Sequence, residues 1–366
     1  MKHRCLATLK TLSHHISCLA VHDNLLYAAA INEINVFDLF NNSHIDSFND
    51  DPTSGFVKSI AFNFNNRKIF TAHQDGKIRI WKIIKLSQKH QLLSTLPTVK
   101  DKLLHSVLPK NYVNVRRHKK KLWIEHWDTV SGLVINESGL IMYSISWDKS
   151  FKIWNLKNQR CLESVKAHDD AVNTLVVSEN GTVYTGSADG LIRVWERDEK
   201  QERRHRLVAT LNKHKSTVNA LALNGDGSVL FSGGCDSSIM VWEWEKKGEN
   251  INNDDDAEDH DQVGFVEALW GHSGAILCLI SVGDLFVSGS SDRTVRVWQR
   301  GKEGGFHCTL VLEGHEKPVK SLVAVPKHVS DEEDVFSICS GSLDGEIKVW
   351  EISDFNNKFE AQEQTP

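Results

Sequence analysis

No stretch of 18 apolar residues occurs in the 366-residue chain, and its opening segment carries Lys2, Arg4 and Lys10 without an apolar run of signal-peptide length. Neither a membrane span nor a secretory leader is expected, so the chain is expected to be intracellular, in the cytoplasm, the nucleus or both. Close cysteine pairs are missing too. The seven cysteines (Cys5, Cys18, Cys161, Cys235, Cys278, Cys308, Cys339) are scattered through strand-like segments, without zinc-site or redox spacing, and are read as reduced core residues. Also absent are a glycine-rich phosphate loop, the paired histidines of zinc proteases and a nucleophile elbow. No catalytic residue, metal or cofactor is therefore expected, and the chain is not read as an enzyme.

Apolar residues make up 40% and charged residues 25%, a balance that supports a large core. The net charge of -5 hides a basic run near residue 110 and an acidic run near residue 255. The length fits two average domains or one closed repeat domain, so the decision falls to internal repeats.

One phrase recurs: Ser or Thr, three residues, Asp, five residues, Trp. It appears at Thr71, Asp75, Trp81; Ser144, Asp148, Trp154; Thr185, Asp189, Trp195; Ser232, Asp236, Trp242; Ser288, Asp292, Trp298; and Ser340, Asp344, Trp350. The Trp-to-Trp steps are 73, 41, 47, 56 and 52 residues, a unit near 41 to 47 with insertions. In five units a His precedes the phrase, with Val or Ile four residues after it: His126, His168, His214, His272 and His315. An earlier degenerate unit has Phe37 in the Trp position and Ile31 in place of Asp, and the unit ending at Trp81 has Thr53 where the His belongs. These two units are expected to be less firmly pinned.

The physical sense of the set is a buried relay. Asp accepts from imidazole, imidazole meets the hydroxyl, and the hydroxyl meets the indole N–H, so several buried polar groups are satisfied together. Near the start, Arg4, Cys5, Leu6 and Leu9 mirror Arg160, Cys161, Leu162 and Val165, an outer-strand segment. Residues 3 to 10 are thus expected to supply the outer strand of the last unit and close a ring.

The repeated set and its period resemble the WD40 family over essentially the whole chain. The resemblance implies an all-β, seven-bladed propeller of four-stranded antiparallel blades over 1–354, followed by a polar tail at 355–366, and a protein-binding scaffold or adaptor. The run from Leu104 to His126, LHSVLPKNYVNVRRHKKKLWIEH, resembles the JINGUBANG-like WD40 proteins of plants, which implies a regulatory interaction role and transfers no catalytic residue. Receptors of cullin-type ubiquitin ligases in this family often carry Trp-Asp-x-Arg; here Trp154-Asn155, Trp195-Glu196, Trp242-Glu243, Trp298-Gln299 and Trp350-Glu351 stand instead, which disfavours that role.

Three segments are candidates for partner binding. The insertion at 98–125 holds Arg116, Arg117, Lys119, Lys120 and Lys121, open to three readings: an importin-read nuclear signal, a contact for an acidic partner or nucleic acid, or a solvated loop. Beside it, Leu103, Leu104, Val107, Leu108, Tyr112 and Val113 are too apolar for a free linker and are expected to pack on the propeller or a partner, with a short helix at 101–108. The acidic stretch 245–262 reads as a disordered, solvated loop, or a dock for a basic partner. Finally, Trp127 follows the relay His126 and Trp147 precedes Asp148, so two indoles lie on loops of one face, as interface anchors or as packing beneath the insertion. A chromatin or nucleic-acid reader using the basic insertion is the alternative to the adaptor; no membrane partner is expected.

Overall fold

The computed structural model describes residues 1–353 apart from 12, 50, 64, 66, 85–88, 117–118, 199–203, 246–261, 303 and 327–334. Residues 246–261 of the acidic stretch and the polar tail thus lie outside the described residues, while Glu245 and Gln262, at the ends of that stretch, pair as strand residues of blade five and not as loop. Among the described residues the chain forms seven four-stranded antiparallel sheets, plus a two-stranded hairpin and one α-helix in the insertion. The sheets are the blades of a propeller, with consecutive strands running from the channel to the rim. Blades one to six occupy 16–48, 57–96, 130–166, 172–211, 218–269 and 276–312.

Blade seven takes three strands from 319–353 and its outermost from the opposite end of the chain. Lys2–Lys10 pairs antiparallel with Glu346–Ser353, from Lys2 opposite Ser353 to Lys10 opposite Glu346. Leu9 is buried in that position, and Arg4–Glu351 and Lys10–Glu346 ion pairs at 2.7 Å flank the seam. Closure removes the open edge that the strand Glu346–Ser353 would otherwise present.

Burial follows from the stacking. The second strand of each blade is covered on both faces, so Leu25–Ala30 (LLYAAA) and Val229–Gly234 (VLFSGG) read as nearly continuous apolar or small runs. Outer strands such as His205–Leu211 keep mostly exposed or half-buried positions. The core is divided into seven clusters, one at each interface between neighbours. In each, the aromatic residue of the Trp position packs against the preceding blade: Trp81 on blade one, Trp154 on blade two, and so on round to Phe37 on blade seven. Phe37 therefore keeps the wedge although it has no N–H to donate. The close approach also explains Gly341, where an added Cβ would stand 2.7 Å from Ile16 of blade one.

Removing residues 1–10 should leave Glu346–Ser353 as an unpaired edge and expose the Leu9 site. Burial of Leu9 alone is worth about 1.5–3 kcal/mol, so the melting temperature of the whole domain should fall in one cooperative step. An unchanged melting temperature would show that the N-terminal strand does not hold the ring.

Candidate functional site

In blade three the indole N–H of Trp154 donates to Ser144 Oγ at 2.8 Å, Ser144 meets His126 Nε2 at 2.8 Å, and His126 Nδ1 meets Asp148 Oδ2 at 2.8 Å. The same carboxylate oxygen accepts the backbone N–H of Trp127 at 3.1 Å, while Oδ1 accepts that of Ser150 at 3.0 Å. One chain of polar contacts thus ties the loop entering the blade, the turn between its second and third strands, and the third strand itself. Blade four repeats it through Trp195, Thr185, His168 and Asp189 at 3.0, 2.9 and 3.0 Å. Blade five uses Trp242, Ser232, His214 and Asp236 at 2.9, 2.9 and 3.1 Å; blade six uses Trp298, Ser288, His272 and Asp292 at 2.8, 2.8 and 2.7 Å.

The turn that carries the Asp requires a left-handed residue next. Glycine supplies it at Gly76, Gly190 and Gly345, with φ between 80° and 83°, whereas Lys149, Ser237 and Arg293 adopt φ of 64° to 73° despite a Cβ. The Asp side chain offsets that cost by accepting backbone N–H groups across the turn, as Asp236 does from Ser238.

Three blades depart from the set. In blade seven Trp350 donates to Ser340 at 2.8 Å and Ser340 meets His315 at 2.7 Å, but the expected His315–Asp344 bond is not made. Asp344 Oδ1 accepts from the N–H of Glu346, and both His315 Nδ1 and Asp344 Oδ2 are buried without a hydrogen-bond partner. His315, Asp344 and Glu346 bring ligand-type atoms within 4.8 Å of one another, yet Lys10 already pairs with Glu346 at 2.7 Å and supplies the positive charge there.

Blade two corrects the expectation of a missing histidine. His73, two residues after Thr71 on the same strand, meets the hydroxyl at 2.7 Å, and Trp81 donates to Thr71 at 2.8 Å. Asp75 pairs instead with Arg79 at 2.9 Å, which also reaches Asp51 at 3.2 Å. In blade one the turn is shorter by one residue: Leu26 faces Phe37 as Ile69 faces Trp81, which sets Ala28 where blade two has Thr71. With no indole N–H to satisfy, an alanine there leaves nothing unpaired.

Electrostatics follow the same wiring. Burial pushes His126, His168 and His272 below the ordinary imidazole value of 6.5, and the adjacent carboxylates recover part of that. His315, which lacks the Asp bond, is pushed down to about 4, chiefly by burial. His73 is pushed down to about 3 by burial and the nearby Arg79. Burial alone would raise Asp148, but His126, Lys152 and Ser150 outweigh it and hold the carboxyl well below its usual range.

The insertion is more ordered than a linker. Thr98 caps a helix at Val99–Ser106 through its Oγ1, two residues earlier than the expected span, and Tyr112–Arg116 pairs with Lys119–Leu122 as a hairpin. Leu122 and Ile124 join the core between blades two and three, and Lys152 donates to Trp123 O at 2.6 Å. Leu103, Leu104, Val107, Leu108, Tyr112 and Val113, however, are not buried against the propeller; they remain 38–76% exposed. Lys119 and Lys120 are exposed on the hairpin, Lys121 is half-buried against His126 O at 3.4 Å, and Arg117 and the Arg116 side chain lie outside the described residues.

Of the two singled-out indoles, Trp127 is half-buried with its backbone tied to Asp148, while Trp147 is 38% exposed at the tip of a turn. The Trp147 ring lies 5.2 Å from the ammonium of Lys58. Trp270, in the loop entering blade six, is 63% exposed on the same face and was not singled out from the sequence. Its position two residues before His272 is the signal that places it there.

A family model described as WD domain, G-beta repeat matches residues 43–82, 159–196, 205–243, 264–299 and 306–351, more than half of the chain. The chain belongs to the WD40-repeat family, a fold that generally serves as a non-catalytic scaffold for protein interactions. Among curated proteins it is 26% identical over 226 residues to an uncharacterized WD repeat-containing protein of Schizosaccharomyces pombe, covering 59% of this chain and 53% of that one. Cell division control protein 4 of Saccharomyces cerevisiae is 25% identical over 294 residues, covering 77% of this chain and 36% of that one. DENN domain and WD repeat-containing protein SCD1 of Arabidopsis thaliana is 26% identical over 190 residues, covering 52% and 13%. The chain spans about half the length of the first of these and less of the others.

Two outcomes follow from the relay. Asp148→Ala should strand His126 and the Trp127 N–H and lower stability by about 1–3 kcal/mol, whereas Asp344→Ala, which breaks no bond to its histidine, should cost less than Asp148→Ala. Chemical denaturation of both variants checks this; equal losses would contradict the wiring. In addition, the unfolded histidines titrate near 6.5 and the folded ones lower, so below pH 6.5 the unfolded chain binds more protons. The melting temperature should fall as pH drops from 6.5, with losses extending to about 4 for His315 and about 3 for His73, and a profile flat from pH 7 to 4.5 would contradict burial of neutral histidines.

Proposed function

We propose that the chain is a non-catalytic adaptor of an intracellular regulatory complex, cytoplasmic or nuclear, that docks partner proteins on the face bearing Trp127, Trp147 and the insertion. The observation that carries this reading is the exposure of Trp147. A large indole held at the tip of a short turn, above a relay that fixes the turn beneath it, is a preorganised anchor. The insertion adds further exposed groups, the leucines Leu103, Leu104 and Leu108 together with Lys119 and Lys120, a combination suited to a partner with acidic and apolar residues. The likeness of residues 104–126 to the JINGUBANG-like proteins supports the same assignment of the insertion to regulation.

The second reading, a chromatin or nucleic-acid reader, rests on the basic hairpin alone. The basic residues also fit an importin-read nuclear signal, which a localisation assay separates from both.

Affinity capture from cells followed by calorimetry on the recovered partner tests the proposal. Trp147→Ala should weaken binding by about 2 kcal/mol or more while the melting temperature stays near wild type. Neutralising Arg116, Arg117, Lys119, Lys120 and Lys121 should instead flatten the salt dependence of binding or reduce nuclear accumulation. Normal capture by the Trp147 variant would move the docking surface elsewhere.

A further inference from the structure

A β-bulge follows the first residue of the innermost strand in every blade, shown by the register shifts at Ile16/Cys18, Val57/Ser59, Val130/Gly132, Val172/Thr174, Val218/Ala220, Ile276/Cys278 and Val319/Ser321. The bulged residues form one ring at the channel. Four of them bind the next blade: Ser17 donates to Val57 O, Ser131 to Val172 O, Asn173 to Val218 O at 3.1 Å and Asn219 to Ile276 O at 2.9 Å. Leu277 breaks the pattern with an apolar side chain. Lys58 and Lys320 break it with ammonium groups, in blades two and seven, the two neighbours of blade one.

Neither lysine makes an ion pair with a carboxylate among the described residues. They are close enough to feel each other: Lys58 is held below the ordinary lysine range by burial first and by Lys320 second. His15, in the loop entering blade one, is lowered by burial and then by Lys58 and Lys320. The Lys58 ammonium also stands 4.9 Å from the Phe56 ring and 5.2 Å from that of Trp147, so it is bounded by aromatic faces. The channel beyond it, of about 270 Å³, is lined by Ser59, Ser131, Asn173, Asn219 and Ser321 among others, with no carboxylate in its wall.

Like charges held together at a polar mouth repel one another, and an anion between them relieves that repulsion. We propose that the channel mouth beside Trp147 is an anion site, in which Lys58 and Lys320 together hold a carboxylate or phosphate group carried on a side chain of the docked partner. The proposal deepens the docking assignment of this face and rests on it. The aromatic rings of Trp147 and Phe56 would cover the apolar part of that side chain, while the anion takes the place of the inter-blade bonds that the two lysines forgo.

The test uses the full chain with ¹³C-labelled lysine, titrated with inorganic phosphate and with two Gly-Ser peptides, one carrying a single phosphoserine and the other a single glutamate. Phosphate should shift the ε-carbon signals of Lys58 and Lys320 together and saturably. Lys58→Met and Lys320→Met should each weaken binding by about tenfold or more, the loss of one charge-assisted contact. Binding of either peptide at least as tight as that of phosphate supports a side-chain anion and says which kind. Phosphate binding with neither peptide bound would overturn presentation by a partner. The absence of a saturable shift, or unaltered affinity in both lysine variants, would overturn the site. If one variant fails to fold, the other carries the test. Partner capture that is lost in Trp147→Ala yet intact in Lys58→Met and Lys320→Met would reject the anion site and leave the docking assignment standing.

Discussion

An indole N–H buried inside a β-sheet has to find an acceptor, and strand pairing already consumes the backbone carbonyls around it. In six blades the acceptor is a Ser or Thr hydroxyl one strand away, at 2.8 to 3.0 Å. That hydroxyl in turn meets a histidine, which in blades three to seven lies in the loop that enters the blade and positions it. The contact therefore decides which residue types stand on the second strand, where the entering loop crosses, and how the aromatic wedge faces the preceding blade. Where the indole is absent, as at Phe37, the hydroxyl is dispensable, and blade one has Ala28 in its place.

Satisfying these groups internally leaves the loop ends available for other work. The Asp of the relay braces the turn from below, so that an exposed side chain such as Trp147 sits on a fixed platform. Around the channel a separate belt of bulged side chains links one blade to the next, and it is interrupted where Lys58, Leu277 and Lys320 stand. The proposed binding groups thus stand at places where the packing rules of the repeat are satisfied without the residue in question.

The architecture was legible because the Ser/Thr–Asp–Trp spacing is set by strand geometry: ten residues from hydroxyl to indole return the chain to the facing strand. The closing strand was legible because Arg4, Cys5 and Leu6 mirror an outer strand. Less visible was the source of the histidine in blade two, since His73 reaches Thr71 from along the same strand and not from the entering loop. The failed His315–Asp344 link could not be read either, because spacing identifies which groups are near and not which orientation each adopts. The leucines of the insertion look like core by composition; their exposure depends on Thr98 starting a helix and on the hairpin that follows, which are local choices without a repeat to reveal them. Trp270 was hidden by its routine place before a relay histidine, and the pairing of Lys58 with Lys320 by the ring, which joins residues far apart in the chain.

Hydrogen exchange at the indole nitrogens, followed by NMR on ¹⁵N-tryptophan-labelled protein, bears most directly on the relay as the determinant of the fold. The indole N–H groups of Trp81, Trp154, Trp195, Trp242, Trp298 and Trp350 should exchange only through global opening, with one shared free energy, while those of Trp147 and Trp270 exchange at close to the rate of a free indole. Relay indoles that exchange as fast as Trp147 and Trp270, or blade by blade with unrelated free energies, would contradict a ring locked by these buried contacts.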